Sequence, residues 1–149
     1  MIQRIQSIYL FLAASVLGSQ FVLPYASATA DPVAASAAFS DGVFNLNDSL
    51  VMLVSSAVAL GLTIAAFLLF KNRPVQSRIT SLGIFASTIL AVTLAVQFFT
   101  LIKEVGATET NVHYQAGVVM PALSVLLLWL ANRAIRKDEA LVRSADRLR

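Results

Sequence analysis

The side chains that could do chemistry in this chain are few and scattered. Cysteine is absent, and His113 is the only histidine. One imidazole without thiolates cannot build a metal site unaided, and a haem would need a second axial ligand such as Met120. Only a cluster of His113 with Glu109 and Asp48 would bring acid–base groups together. The sequence has no Ser-His-Asp arrangement and no phosphate-binding glycine loop, so we expect no enzyme, no catalytic residue, no metal site and no bound cofactor.

Polar side chains inside apolar segments offer a second kind of chemistry, the passage of a small or apolar solute. Ser55, Thr63, Thr88 and Gln97 lie in the middle of such segments. A transporter or channel would need them to line one polar route. Hydroxyl and amide groups are also the usual hydrogen-bonding contacts between membrane helices. The sequence leaves both interpretations open.

Composition decides the class of protein that must position these residues. The chain is 58% hydrophobic and 13% charged, with a mean hydropathy of +0.78, whereas soluble domains are about 45–50% apolar and about 25% charged. Four apolar segments have roughly the 20 residues that a membrane-spanning helix needs. They predict an all-α membrane protein, a four-helix transmembrane bundle forming one domain over residues 1–149. The predicted spans are 5–23, 50–70, 79–102 and 114–134, followed by a helical tail, 135–149.

Local signals refine these boundaries. Pro74 predicts a tight hairpin between the second and third spans, and Ser77 can cap the third helix. Pro121 predicts a bend inside the fourth. Tyr25 and Tyr114 are expected at the outer membrane interface, where amphipathic rings prefer to lie.

The basic residues fix an orientation. Every lysine and arginine except Lys103 lies before the first span, between the second and third, or from Arg133, at the end of the fourth, onward. Because basic loops stay on the cytoplasmic side, both termini are predicted to be cytoplasmic.

Two further patterns concern contacts between helices. Glu139 and Arg143 are four residues apart, which predicts that the fourth helix continues into the tail with an ion pair on its surface. Ala57, Gly61 and Ala65 place small residues at a spacing that lets helix backbones approach closely. Such a face can pack within the chain's own bundle, which we favour, or against a partner.

Both ends of the chain carry a resemblance. MIQRIQSIYLFLAA (1–14) and DEALVRSADRLR (138–149) resemble the ends of an uncharacterised family of four-span membrane proteins from Bacteroidetes, a domain of unknown function, whose members start MIQRIQ and end like VRSADRLR. The resemblance implies a bacterial inner membrane protein and marks the two ends, which would meet at the cytoplasmic face. An ion pair between Arg4 and Asp146 is one expected contact. The candidate interaction residues are Gln3, Arg4, Gln6, Arg143, Asp146 and Arg147.

The first apolar segment also has the length of a signal peptide, with cleavage after Ala28 or Ala30 permitted by the small-residue rule. Because the family resembled keeps its first helix, we expect an uncleaved span. The sequence then favours a structural or accessory subunit that contacts the lipid bilayer and other membrane proteins or itself, and no nucleic acid; a small transporter or channel is the alternative.

Overall fold

The computed structural model describes residues 2–28, 42–105 and 112–146. Four helices run antiparallel to their neighbours in the chain: α1 (Ile2–Ser19), α2 (Leu50–Leu68), α3 (Arg73–Val105) and α4 (Met120–Asp146). The main contacts join α2 to α3, α3 to α4, α4 to α1, and α1 to α2. Each helix therefore packs against two others, and the first helix has the last as its chief neighbour.

The α2–α3 hairpin is tight, as Pro74 predicts, but it is built differently. Pro74 is the second residue of α3, where its missing N–H leaves no hydrogen bond unmade. Asn72 precedes the helix, and its carbonyl accepts the Gln76 backbone N–H at 2.9 Å. The prediction that Ser77 caps this helix was therefore wrong, because α3 starts one turn earlier.

The start of α4 also differs from the prediction. Residues Ala116–Val119 form a 3₁₀ turn, and α4 begins at Met120. Pro121 thus lies in the first turn rather than in the helix interior. Its missing N–H breaks no interior hydrogen bond there, so the proline gives no reason for the predicted bend. At the other end the helix runs to Asp146, which confirms that it continues into the tail.

A small antiparallel sheet, which the sequence did not predict, covers one end of the helices. Its strands are β1 (Ala26–Ala28), β2 (Val43–Phe44) and β3 (Val112–Tyr114), in the order β2-β1-β3. Ala26 pairs with Phe44 on one side and Tyr114 on the other. The sheet thereby joins both long connections, and we call this the sheet end. The opposite end, with the α2–α3 hairpin and the last turns of α4, is the basic end.

The outer surface of the helices is apolar. Three helices, at Leu50–Leu68, Arg73–Thr100 and Ala116–Ser144, are long and apolar enough to cross a membrane, and only 33% of each apolar window is buried. α1 contributes a shorter apolar stretch, Ile5–Ser19. Large side chains such as Phe11, Phe85 and Leu126 are more than half exposed. A surface of this kind suits hydrocarbon rather than water.

Candidate functional site

The densest polar contacts among the described residues lie at the basic end. Arg73, the first residue of α3, donates from Nε to Oδ2 of Asp138 on α4 at 3.0 Å. Gln6 of α1 donates from Nε2 to the same oxygen over a long 3.5 Å. The Asp138 residue is 8% exposed and Gln6 is 3% exposed. One carboxylate thus connects three helices, and we call Gln6, Arg73 and Asp138 the carboxylate clasp.

The position of Asp138 follows from the period of α4. Leu128, Ala131, Asn132 and Ile135 are all buried on the face of α4 that meets the other helices. Asp138 is the next residue on that face, three positions after Ile135, and so it is carried into the interior. A buried carboxylate is stable only when paired and hydrogen-bonded, and Arg73 and Gln6 supply those partners.

A second set of polar contacts lies one to two turns farther in. Ser77 of α3 donates to Oδ1 of Asn132 on α4 at 2.9 Å, and Asn132 donates from Nδ2 to Oγ of Ser81 at 3.1 Å. Gln76 donates to the backbone carbonyl of Ala66 on α2 at 3.0 Å. These bonds fix the rotation of α3 against both of its neighbours.

The sheet end is closed by aromatic rings. Tyr25, Phe44, Phe98 and Tyr114 form a continuous row with ring centroids 5.5–5.8 Å apart. Tyr25 is fully buried, and its hydroxyl donates to Oε1 of Gln20 at 3.3 Å. Burial raises the pKa of Tyr25 above its ordinary value, because the phenolate would lose its hydration.

Gly117 makes this closure possible. It lies so near the Pro24 carbonyl that a Cβ placed on it would be 2.4 Å from that oxygen. Only glycine allows the 3₁₀ turn before α4 to pack this closely against the segment after α1.

Comparison with known proteins adds a family to this geometry. The family described as a domain of unknown function (DUF4293) matches residues 2–148. The chain belongs to the DUF4293 family. No curated protein and no solved structure matches the chain.

The family assignment confirms the expected domain of unknown function over nearly the whole chain. Six candidate interaction residues were predicted at the cytoplasmic face. In the structure of this DUF4293 protein, one of them, Gln6, lies in the carboxylate clasp. Arg143 does not join it, because its guanidinium bonds Glu139 at 2.9 Å on the exposed side of α4, as the spacing of these two residues predicts. Gln3, Arg4 and Asp146 are helical positions whose side chains fall outside the described part, as does Arg147 entirely. The Arg4–Asp146 pair therefore stays a prediction.

The clasp partners of Gln6 were missed. In the sequence Arg73 lies in the basic connection between the second and third predicted spans, and Asp138 lies in the predicted tail. The periodic signal that would have found Asp138 is its place three residues after Ile135 on an otherwise apolar face. Nothing in the sequence alone says which cation it meets.

The other candidate chemistries gain no common site. His113 and Asp48 are both exposed, and Glu109 lies outside the described residues. In the described ranges no three His, Asp or Glu side chains are grouped for a metal ion. Of the four residues of the predicted solute route, Thr63 and Ser55 are buried whereas Thr88 is exposed, so the four do not line one passage.

Tyr25 and Tyr114, both predicted at the outer interface, both lie at the sheet end, but only Tyr114 is on the surface. Tyr25 is a core residue beneath the sheet, and its exposed fraction is 0%. The exposed fraction of Tyr114 is 64%. Tyr25 directly precedes β1, and its backbone N–H donates to the Phe44 carbonyl at 2.9 Å.

Proposed function

We propose that the protein is an integral protein of the inner membrane whose four helices form a transmembrane bundle, and that it serves as a structural or accessory subunit for other membrane proteins or for itself. The observation that carries this proposal is an unused helix-packing face on an apolar outer surface.

The case for a fourth span rests on the packing of α1. Leu10, Ala13 and Leu17 are fully buried in the core. At the basic end α1 meets α4 through the Gln6–Asp138 contact, and beyond its other end Pro24 meets Gly117. α1 therefore accompanies α4 along most of its apolar length, and a bilayer that holds α4 would also hold α1.

The distribution of charge supports a basic end in the cytoplasm. Lys71, Arg133, Arg136 and Lys137 are all exposed there, and positively charged segments are retained on the cytoplasmic side. Because the chain has no cysteine, single cysteines can report the sides directly. We expect a membrane-impermeant thiol reagent added outside to label Asn47→Cys and not Ser144→Cys in spheroplasts. The opposite pattern would reverse the orientation.

The association face is formed by Ala57, Gly61 and Ala65 of α2. Ala57 and Gly61 are exposed, and a Cβ built on Gly61 would meet no atom within 4 Å. Ala57 and Gly61 are therefore left open by the chain's own packing, whereas Ala65 is half-buried. In lipid, small residues let helices approach closely enough for packing to drive association. A partner helix, from a second copy or another protein, is what such a face fits.

The test is substitution of Gly61 by leucine, with Ala95→Leu as a matched control on the exposed surface of α3. Both proteins should fold, since neither side chain is needed in the interior. Crosslinking in intact membranes followed by purification should recover a stoichiometric partner or dimer with the wild type and with Ala95→Leu, and should lose it with Gly61→Leu. Equal recovery from all three proteins would refute the proposed face.

A further inference from the structure

Four buried polar side chains, one from each helical segment, lie at one level inside the packed helices. They are Gln20, which directly follows α1, Ser56 of α2, Ser87 of α3 and Ser124 of α4. The exposed fraction is 1% for Gln20 and 0% for the three serines. We call these four residues the polar layer.

The common level follows from the contacts on either side. Two contacts fit a single antiparallel register between α3 and α4: the ion pair at the basic end, and Gly83, where an added Cβ would lie 3.8 Å from Leu128 Cδ1. That register brings Ser87 opposite Ser124. The contact of Gly83 with Thr63 likewise places Ser87 beside the middle of α2, with Ser56 less than a turn, ~5 Å, nearer the sheet end.

Gln20 reaches the same level from α1. It lies four residues before Pro24, and the Pro24 carbonyl lies close to Gly117, three residues before α4. Gln20 therefore lies level with the first two turns of α4, and Ser124 begins the second of them.

Hydrogen bonding in the polar layer is incomplete in a specific way. Oε1 of Gln20 accepts a hydrogen bond from the Tyr25 hydroxyl, and the Ser124 hydroxyl donates to the Pro121 carbonyl at 2.7 Å. Gln20 Nε2, Ser56 Oγ and Ser87 Oγ have no hydrogen-bond partner among the described residues. A buried polar atom without a hydrogen bond costs free energy. The three unpaired atoms here belong to α2, to α3 and to the residue that follows α1, and they lie at one level.

We propose that the three unpaired groups of the polar layer, Gln20 Nε2, Ser56 Oγ and Ser87 Oγ, form a binding site for ordered water, and that Ser124, whose hydroxyl bonds Pro121, is not part of it. Buried waters in proteins make about three hydrogen bonds to groups that lack other partners. One amide donor and two hydroxyls, each able to donate and accept, match that requirement. The four residues carry no charge at neutral pH, so the site suits a neutral ligand, and the close-packed interior suits a small one. In the proposed membrane position this water lies in the half of the bundle nearer the sheet end, because Gln20 directly follows α1.

The experiment is a double-mutant cycle with Ser56→Ala and Ser87→Ala, measured as the unfolding equilibrium constant of the full chain in micelles. If one water bridges the two hydroxyls, either single substitution should raise that constant by roughly 2- to 12-fold, the value of a typical hydrogen bond. The second substitution should then add little, because the bridge is already broken. Ser124→Ala is the control; its effect should be the same in the presence and absence of Ser87.

If the hydroxyls are instead dry and unpaired, alanine removes a penalty. Each single substitution would then lower the unfolding constant, and the two effects would multiply in the double variant. A lower unfolding constant in either single variant, or two effects that multiply in the double variant, would overturn the proposal. A crystal structure of the protein in lipid offers an independent check: density within hydrogen-bonding distance of Ser56 and Ser87 is expected in the wild type, and its absence would contradict the site.

Discussion

Substitution of Asp138 by asparagine tests the carboxylate clasp with minimal change of shape. The amide keeps an oxygen that can accept from Gln6, but it removes the charge that faces Arg73 Nε at 3.0 Å. Exposed ion pairs contribute about 0–1 kcal/mol, and loss of one partner from a fully buried pair costs about 3–5 kcal/mol. The two side chains are 25% and 12% exposed, which lies between these cases. We expect a loss of about 2 kcal/mol in the free energy of unfolding, or about 30-fold in the equilibrium constant.

The assay is equilibrium unfolding in micelles by titration with a denaturing detergent, followed by the fluorescence of Trp129, the only tryptophan. The cycle is completed with Arg73→Gln, alone and combined with Asp138→Asn. Because each single variant leaves a buried polar group without its partner, the double variant should be scarcely less stable than Asp138→Asn. Glu139→Gln is the control, since its arginine partner is exposed and the pair should contribute only about 0.3–0.5 kcal/mol.

Two results would refute this account. Equal destabilisation by Asp138→Asn and Glu139→Gln would mean that burial does not strengthen the pair. Additive effects of Asp138→Asn and Arg73→Gln would mean that the two residues act separately, whatever their distance.

Three more predictions follow from other contacts. Gly117→Ala should destabilise the protein by about 1–3 kcal/mol, measured in the same titration, because its Cβ would overlap the Pro24 carbonyl; no loss would show that the segment yields easily. Tyr25→Phe should cost about 0.5–1.5 kcal/mol through the lost bond to Gln20. Because folding raises the pKa of Tyr25, the unfolded chain releases this proton first, so stability should fall as pH rises above about 10; that fall should shrink in Tyr25→Phe, and an unchanged pH profile would contradict it. Asn132→Leu should loosen α3 against α4, seen as faster backbone hydrogen exchange in both helices, and unaltered exchange would count against the Asn132 contacts as a determinant of packing.

The helices could be predicted because their signal is strong and local. Segments such as VMLVSSAVALGLTIAAFLLF have the length and composition of a span whatever surrounds them. The helix ends were predicted less well, because Pro74 and Pro121 each fit two places in a helix. Proline in a first turn and proline at a break leave similar traces in a sequence.

The sheet and the carboxylate clasp depend on contacts between distant parts of the chain. Ala26 pairs with Tyr114, and Gln6 contacts Asp138, 132 residues away. Strands of two or three residues have no periodicity to detect, and the partner of a buried carboxylate is decided by helix register. These features therefore appear only once the helices are packed.

The pairing of the first helix with the last has a consequence for biosynthesis. α1 leaves the ribosome long before α4 exists, so Gln6 is made without the carboxylate that later accepts from its amide. Until α4 has been translated, α1 can pack only against α2, with which it makes the smaller of its two helix contacts. Final packing must therefore wait for α4, and nascent chains that stop before Met120 leave Gln6 without its Asp138 partner.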